Sequence, residues 1–306
     1  LATVSAAASP VEVLIAEGRA DEAITSLQQR TQSSPNDAEA FNLLCRTYFA
    51  LGDWNRGIPN CEKAAKLEAN NARYHLWLGR IYGEKADAAN FFSAASLAGK
   101  VRTEFETAVK LSPDNVEART DLAEFYLEAP GIVGGGRDKA EAEARVLDKL
   151  DPGKAHWVRA RMAQKAKDSA TAEKEYRAAI EASKGSANAW LNLALFYRRI
   201  GRLSEMEDAL NHAVAARSNE PQVLPEAAET LIRAERNFPT AIEWLRRYLA
   251  SNSKVEEVPA FKAHYLLGTV LEKQGDKKAA AQEYSAALSL AKHYSRARQA
   301  LERVNR

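Results

Sequence analysis

The chain has 306 residues, of which 46% are hydrophobic and 27% charged, a balance that supports a buried core and argues against disorder. With 43 basic and 41 acidic residues the net charge is +2, so there is no general attraction to nucleic acid or to an anionic membrane surface. No apolar run approaches the roughly 20 residues needed to span a bilayer.

The chain opens on "LATVSAAASP", where small residues such as Ser5-Ala6-Ala7 fit a remnant beside a signal cleavage site. That reading favours a periplasmic or secreted location over the cytoplasm; a polar leader of a truncated chain is the other reading. Gly18, Ala23, Leu27 and Pro35 then form part of a two-helix unit. A full unit begins near Ala38, with Phe41, Leu44, Cys45 and Tyr48 on one helical stripe. Gly52 follows, and then Gly57, Cys61 and Ala64 on a second stripe. The same grammar starts again near Arg73, Glu117, Lys154, Asn188, Val223 and Lys262, giving about eight units. Its clearest copy has Trp190, Leu193, Ala194 and Tyr197, the breaker Gly201, then Met206, Leu210 and Ala213. Proline closes units at "SPND", "SPDN" and "DPGK". A last amphipathic helix over 294–305 carries Ala297, Leu301 and Val304 on one face and is expected to cap the stack.

Two units depart from the regular spacing. Residues 84–100, "EKADAANFFSAASLAGK", insert an alanine-rich segment that reads as an extra helical turn or two. Residues 130–136, "PGIVGGG", insert a glycine-rich turn. A phosphate-binding loop reads GxxxxGK[ST], but Arg137-Asp138 stand where Lys and a hydroxyl are required, and no strand precedes them. The two insertions fall on corresponding turns and are expected to meet, with Phe91 or Phe92 against the glycine loop. Phe91, Phe92, Ile132 and Val133 then either cover one another or form a rim platform for a partner. Cys45 occupies the small position of its first helix and Cys61 the large position of its second, so both face one seam. They are either two buried thiols or a disulfide.

This recurrence of aromatic, small, aromatic, glycine, alanine and proline positions resembles the tetratricopeptide repeat, a helix–turn–helix unit of 34 residues. The tract around "APGIVGGG" is similar to one found in a subset of bacterial members. The resemblance implies an all-α, right-handed solenoid of stacked units with a C-terminal capping helix, a single superhelix over residues 1–306. It also implies a concave groove, lined by first helices, that binds a peptide or a partner helix.

Nothing in the sequence nominates an enzyme, a metal site or a cofactor. His75, His156 and His264 each occupy the position of Trp190, on separate first helices, which reads as packing. The groove face maps to Lys154, Trp157, Arg161, Gln164 and Lys165 in one unit. In the next it maps to Asn188, Leu191, Leu195, Arg198 and Arg199, and one unit on it includes Arg233. Arg73, Leu76 and Arg80 are earlier equivalents, with an acidic wall of Glu117, Glu124 and Glu128 between. Such charges form either a solvated face or a recognition surface, and Trp157 beside arginine favours recognition. Some relatives grip a C-terminal carboxylate with Lys, Asn and Arg. Asn192 fits one place, but Trp157, Arg161, Val223 and Ala227 occupy others, so that clamp is not expected. The function expected is a non-catalytic scaffold for a protein or peptide segment, acidic in part. The alternative is a carrier of an apolar small molecule or lipid.

Overall fold

In a computed structural model of the chain, residues 10–216 and 220–306 are described, with the side chain of Phe91 excepted. The expected leader at residues 1–9 lies outside them. Among the described residues there are seventeen α-helices, one 3-10 turn and no strand. The helices come as pairs: α1 Pro10–Ala16 and α2 Ala20–Ser33; α3 Ala38–Ala50 and α4 Trp54–Leu67; α5 Ala72–Asp87 and α6 Phe91–Leu111. Then come α7 Val116–Glu128 and, after the 3-10 turn Gly131–Val133, α8 Arg137–Leu150. These are followed by α9 Pro152–Lys165 and α10 Ser169–Ala182, then α11 Ala187–Arg199 and α12 Leu203–Ala215. Last are α13 Val223–Ala234 and α14 Phe238–Ala250, α15 Ala260–Lys273 and α16 Lys277–Leu290, and α17 Ser295–Val304.

The punctuation of the sequence explains these boundaries. Asp37, Asn115 and Asp151, from "SPND", "SPDN" and "DPGK", each accept a backbone N–H in the first turn of the helix that follows. Within pairs, the chain turns through a left-handed residue at Gly52, Gly201 and Gly275. Lys167 takes that role between α9 and α10, at φ 61°. The first insertion is absorbed as helix: α6 runs for 21 residues.

The described residues gather into two compact units, residues 10–57 with 224–306, and residues 58–223. In the first, residues far apart in sequence share one core. Ile15, Leu27, Leu44 and Tyr48 belong to the same buried cluster as Phe261, Ala287, Tyr294 and Ala297. The turn at Gly18 lies so close to the start of α15 that a Cβ there would sit 2.7 Å from Ala260 N. Asp21 accepts the Lys292 amide at 2.9 Å. Arg46 of α3 makes a two-pronged ion pair with Glu256, its Nε donating at 2.8 Å. The expected capping helix forms as α17 and buries Ala297, Ala300 and Val304, while Leu301 is half-buried.

In the second unit, consecutive helices pack as pairs, and the first helices α7, α9 and α11 are neighbours. Leu193, Tyr197, Met206 and Leu210 are buried, each worth about 1.5–3 kcal/mol relative to exposure. Close approach depends on the small position of the first helix. A Cβ on Gly79 would lie 2.5 Å from the Phe105 ring, and in the other unit one on Gly268 would lie 2.6 Å from Tyr284.

Candidate functional site

The mapped face lies on α9 and α11, with α7 beside α9. Lys154, Trp157, Asn188, Leu195 and Arg198 are half-buried, and Lys165 and Arg199 are exposed. Leu191 is a correction: it is 4% exposed and part of the core. A helix inside a stack packs against its own partner and against neighbouring pairs, so its buried face is wider than the single stripe read from periodicity. Arg233 lies in the other unit, where it pairs with Glu229 of its own helix at 2.6 Å.

Arg161 is a second correction. It is not an open cation; its side chain is 14% exposed and bonds Glu128 at 2.8 Å and Glu124 at 3.2 Å. Its guanidinium also lies 5.7 Å from the Trp157 ring centre. Lys165 stands 3.6 Å from Glu128 and donates to the Leu127 carbonyl. On the other side of α7, Arg80 reaches Asp121 at 2.6 Å and Glu117 at 2.7 Å, and lies 5.0 Å from the Trp77 ring centre. Glu117, Asp121, Glu124 and Glu128 recur at helical spacing on α7, so arginines from α5 and α9 neutralise one acidic stripe. Burial nevertheless raises the Asp121 and Glu124 carboxyls above their ordinary values, against the lowering effect of the arginines. An incoming carboxylate would have to displace glutamates already in place.

The N-terminal half of the face is different. Between α9, α10 and α11 lies a cavity of about 60 Å³ whose lining includes Trp157 and the half-buried Lys154, Asn188 and Asn192. Among the described residues, Lys154 and Arg199 enter no ion pair, and the Asn188 and Asn192 amides make no side-chain hydrogen bond. Asn192 is a residue that the mapped partner set omitted.

The glycine loop has a structural explanation. Gly134 takes φ 100°, and a Cβ on it would meet the Arg102 side chain. A Cβ on Gly135 would lie 1.8 Å from the Ala129 carbonyl oxygen. All three amides are engaged: Gly134 donates to Gly131, Gly135 to Pro130 and Gly136 to Tyr126, at 3.0, 3.2 and 2.9 Å. They are therefore not presented to a phosphate. The loop meets α6 at Arg102. Phe92 and Ile132 are 85% and 93% exposed, so they do not cover each other, and Val133 is half-buried. The Phe91 side chain lies outside the described residues. A cavity of about 570 Å³ opens beside the loop, between Pro130, Gly135, Arg137, Met162 and Lys165.

The histidines have polar partners that the sequence reading missed. Nδ1 of His75, His156 and His264 bonds Glu104, Glu175 and Glu283 of the paired second helix, at 2.6, 2.7 and 2.7 Å. The last two glutamates share one sequence offset, which is the available signal; the insertion hides it in the first. Trp190, at the equivalent position, stacks on His212 with ring centres 4.4 Å apart. Cys45 and Cys61 are fully buried, and both are disulfide-bonded. Among the described residues no His, Cys, Asp and Glu group is arranged to hold a metal, and no helix is long and apolar enough to cross a membrane.

Comparison with known proteins bears on the same elements. A family model described as tetratricopeptide repeat matches residues 14–76. A second model of that description matches residues 158–221 and 226–298, so together they span more than half of the chain. No curated protein matches the chain. Among solved structures the chain is similar to yeast Tom70, at 12% identity and TM-score 0.52, over 95% of this chain and 78% of that one. It is also similar to a thermophilic TPR protein of Thermus thermophilus, at 20% identity and TM-score 0.49, over 60% and 93%. A third similarity is to a tetratricopeptide repeat protein from Parabacteroides merdae, at 16% identity and TM-score 0.45, over 88% and 99%. At 12% identity the likeness to Tom70 shows the fold alone.

Proposed function

The chain belongs to the tetratricopeptide repeat family, and from that premise we propose that it is a non-catalytic scaffold holding an extended, partly acidic segment of another protein against α9 and α11. The observation that carries this reading is the division of the polar groups on that face. Arg161 and Lys165 make direct contacts with the glutamates of α7, whereas Lys154 and Arg199 act on Asp121 and Glu124 only at longer range and keep their hydrogen-bond donors, as Asn188 and Asn192 keep theirs. Such an ammonium or guanidinium gains charge-assisted bonds from a carboxylate without breaking a bond of its own. An apolar cargo would meet amides and cations here, which disfavours the carrier reading. We propose as well, on the likeness of its "APGIVGGG" tract alone, that the chain falls among the bacterial members that carry such a loop.

The test is affinity selection from a random peptide library, followed by binding measurements on the selected peptides. Peptides bearing Asp or Glu should be enriched, and their binding should weaken as salt rises. The double reversal Lys154→Glu with Arg199→Glu should abolish that binding while the chain stays folded, as checked by circular dichroism. Acidic peptides that bind this double variant as tightly as the parent chain would refute the assignment.

A further inference from the structure

Resting on that reading, we propose that the cavity between α9, α10 and α11 is a side-chain pocket that selects one small aliphatic or hydroxyl residue of the bound segment, with a carboxylate within two residues of it.

The cavity exists because three residues around it have little or no side chain. Gly153, Ala179 and Ala189 are all buried, and even a Cβ on Gly153 would come within 3.2 Å of the Ser183 Cβ. Its volume of about 60 Å³ exceeds what one water needs. It is also less than half of the roughly 150 Å³ of an apolar cavity that admits benzene. The pocket therefore accepts a few heavy atoms, as in Ala, Ser, Thr, Val or Pro, and rejects an aromatic ring. The Trp157 ring supplies a flat, stiff wall for such a group.

The rim fits a main chain on either side of that residue. Asn188 and Asn192 stand four residues apart on α11, hence one above the other on one helix face. Each amide carries both donors and an acceptor, the complement of the one N–H and one C=O that every extended residue presents. The helix-capping groups at the cavity do not compete for this role. Asp151 accepts the Lys154 amide at 3.0 Å, and Ser186 accepts the Ala189 amide at 3.2 Å. The cation left at the rim is Lys154. Extended residues rise about 3.3 Å each, so an ammonium there reaches a carboxylate one or two positions from the anchored residue.

The experiment scans a degenerate decapeptide library against the full chain, three pocket variants and the comparison variant Arg199→Glu, with circular dichroism melting of each. Ser183→Leu fills the pocket from its half-buried edge; Asn188→Ala with Asn192→Ala removes the amides; Lys154→Glu reverses the rim charge. The parent chain should select small residues at one position, with Asp or Glu within two positions. Ser183→Leu and the double asparagine variant should each weaken the selected peptides by about tenfold or more. Lys154→Glu should exchange the acidic preference for a basic one at the same register. If Ser183→Leu does not fold, the other two variants decide. If the anchor is aromatic, or the selected peptides ignore the folded variants but lose binding on Arg199→Glu, the pocket is refuted and the scaffold reading stands. If no peptide is selected, or selection ignores Lys154 and Arg199 alike, both fall.

Discussion

Gly135→Ala tests whether the glycine cluster is a structural joint. The new Cβ would lie 1.8 Å from the Ala129 carbonyl oxygen and 2.6 Å from its carbon. Both belong to the backbone at the end of α7, so no side chain can swing aside. The loop must lift, and the bonds it would lose are Gly135 N–H to Pro130 and Gly136 N–H to Tyr126. At about 0.5–1.5 kcal/mol for each hydrogen bond, the substitution should cost about 2 kcal/mol. That corresponds to a drop of roughly 4–8 °C in melting temperature for a unit of this size. Gly131→Ala is the control: nothing lies within 4 Å of its Cβ position, and its φ is not in the left-handed region. It should be neutral or slightly stabilising, because it removes backbone freedom from the unfolded chain. Urea and thermal unfolding of the two variants beside the parent supply the measurement. Equal stability of the two variants would refute the steric argument. A nucleotide that stabilised the parent chain but not Gly135→Ala would show that these amides are free to bind phosphate after all.

Three more outcomes follow from other contacts. Glu256→Gln should destabilise the unit of residues 10–57 and 224–306 by about 3 kcal/mol, because the Arg46 guanidinium, 13% exposed, loses the carboxylate it bonds directly and keeps only the longer-range field of Glu39 and Glu12; an Arg46→Met, Glu256→Gln double variant should cost less than the two single changes together, and strict additivity would contradict the pair. Both His75 ring nitrogens face acceptors, Glu104 at 2.6 Å and the Ala69 carbonyl at 3.0 Å, and a neutral imidazole donates only once, so the site favours the cation and raises its pKa, chiefly through the Glu104 bond and against the effect of burial. That stabilisation is complete below the ordinary value of 6.5 and is lost as pH rises through the higher folded value, so the stability difference from His75→Gln should shrink in that window; a His75 proton resonance titrating below 6.5 would overturn the assignment. Cys45 and Cys61 are both disulfide-bonded, so neither should be alkylated before reduction, and two freely alkylated thiols in protein purified without reductant would contradict this.

The sequence by itself determined the helix pairs, their order and the turns between them. Stripes such as Trp190, Leu193, Ala194 and Tyr197 act within one helix, and a cap such as Asp151 acts within one turn, so their signals are local and periodic. The small-against-large register of each pair was likewise set by recurrence, since each copy repeats the same two positions. The tertiary structure decided which charges were spent. Arg161 and Glu128 are 33 residues apart, and no periodicity says that they bond and so withdraw the arginine from the face that sequence mapping assigned to a partner. It also decided that Leu191 is core and that three histidines pair with glutamates, because both follow from packing between helices. Most distant from the sequence is the core shared by Ile15 and Leu27 with Phe261 and Tyr294, and the Arg46–Glu256 pair, whose partners stand 210 positions apart. Repeat grammar describes how each unit meets its neighbours; it carries no mark of which units from opposite ends of the chain will meet, because that depends on the rotations that every intervening pair adds.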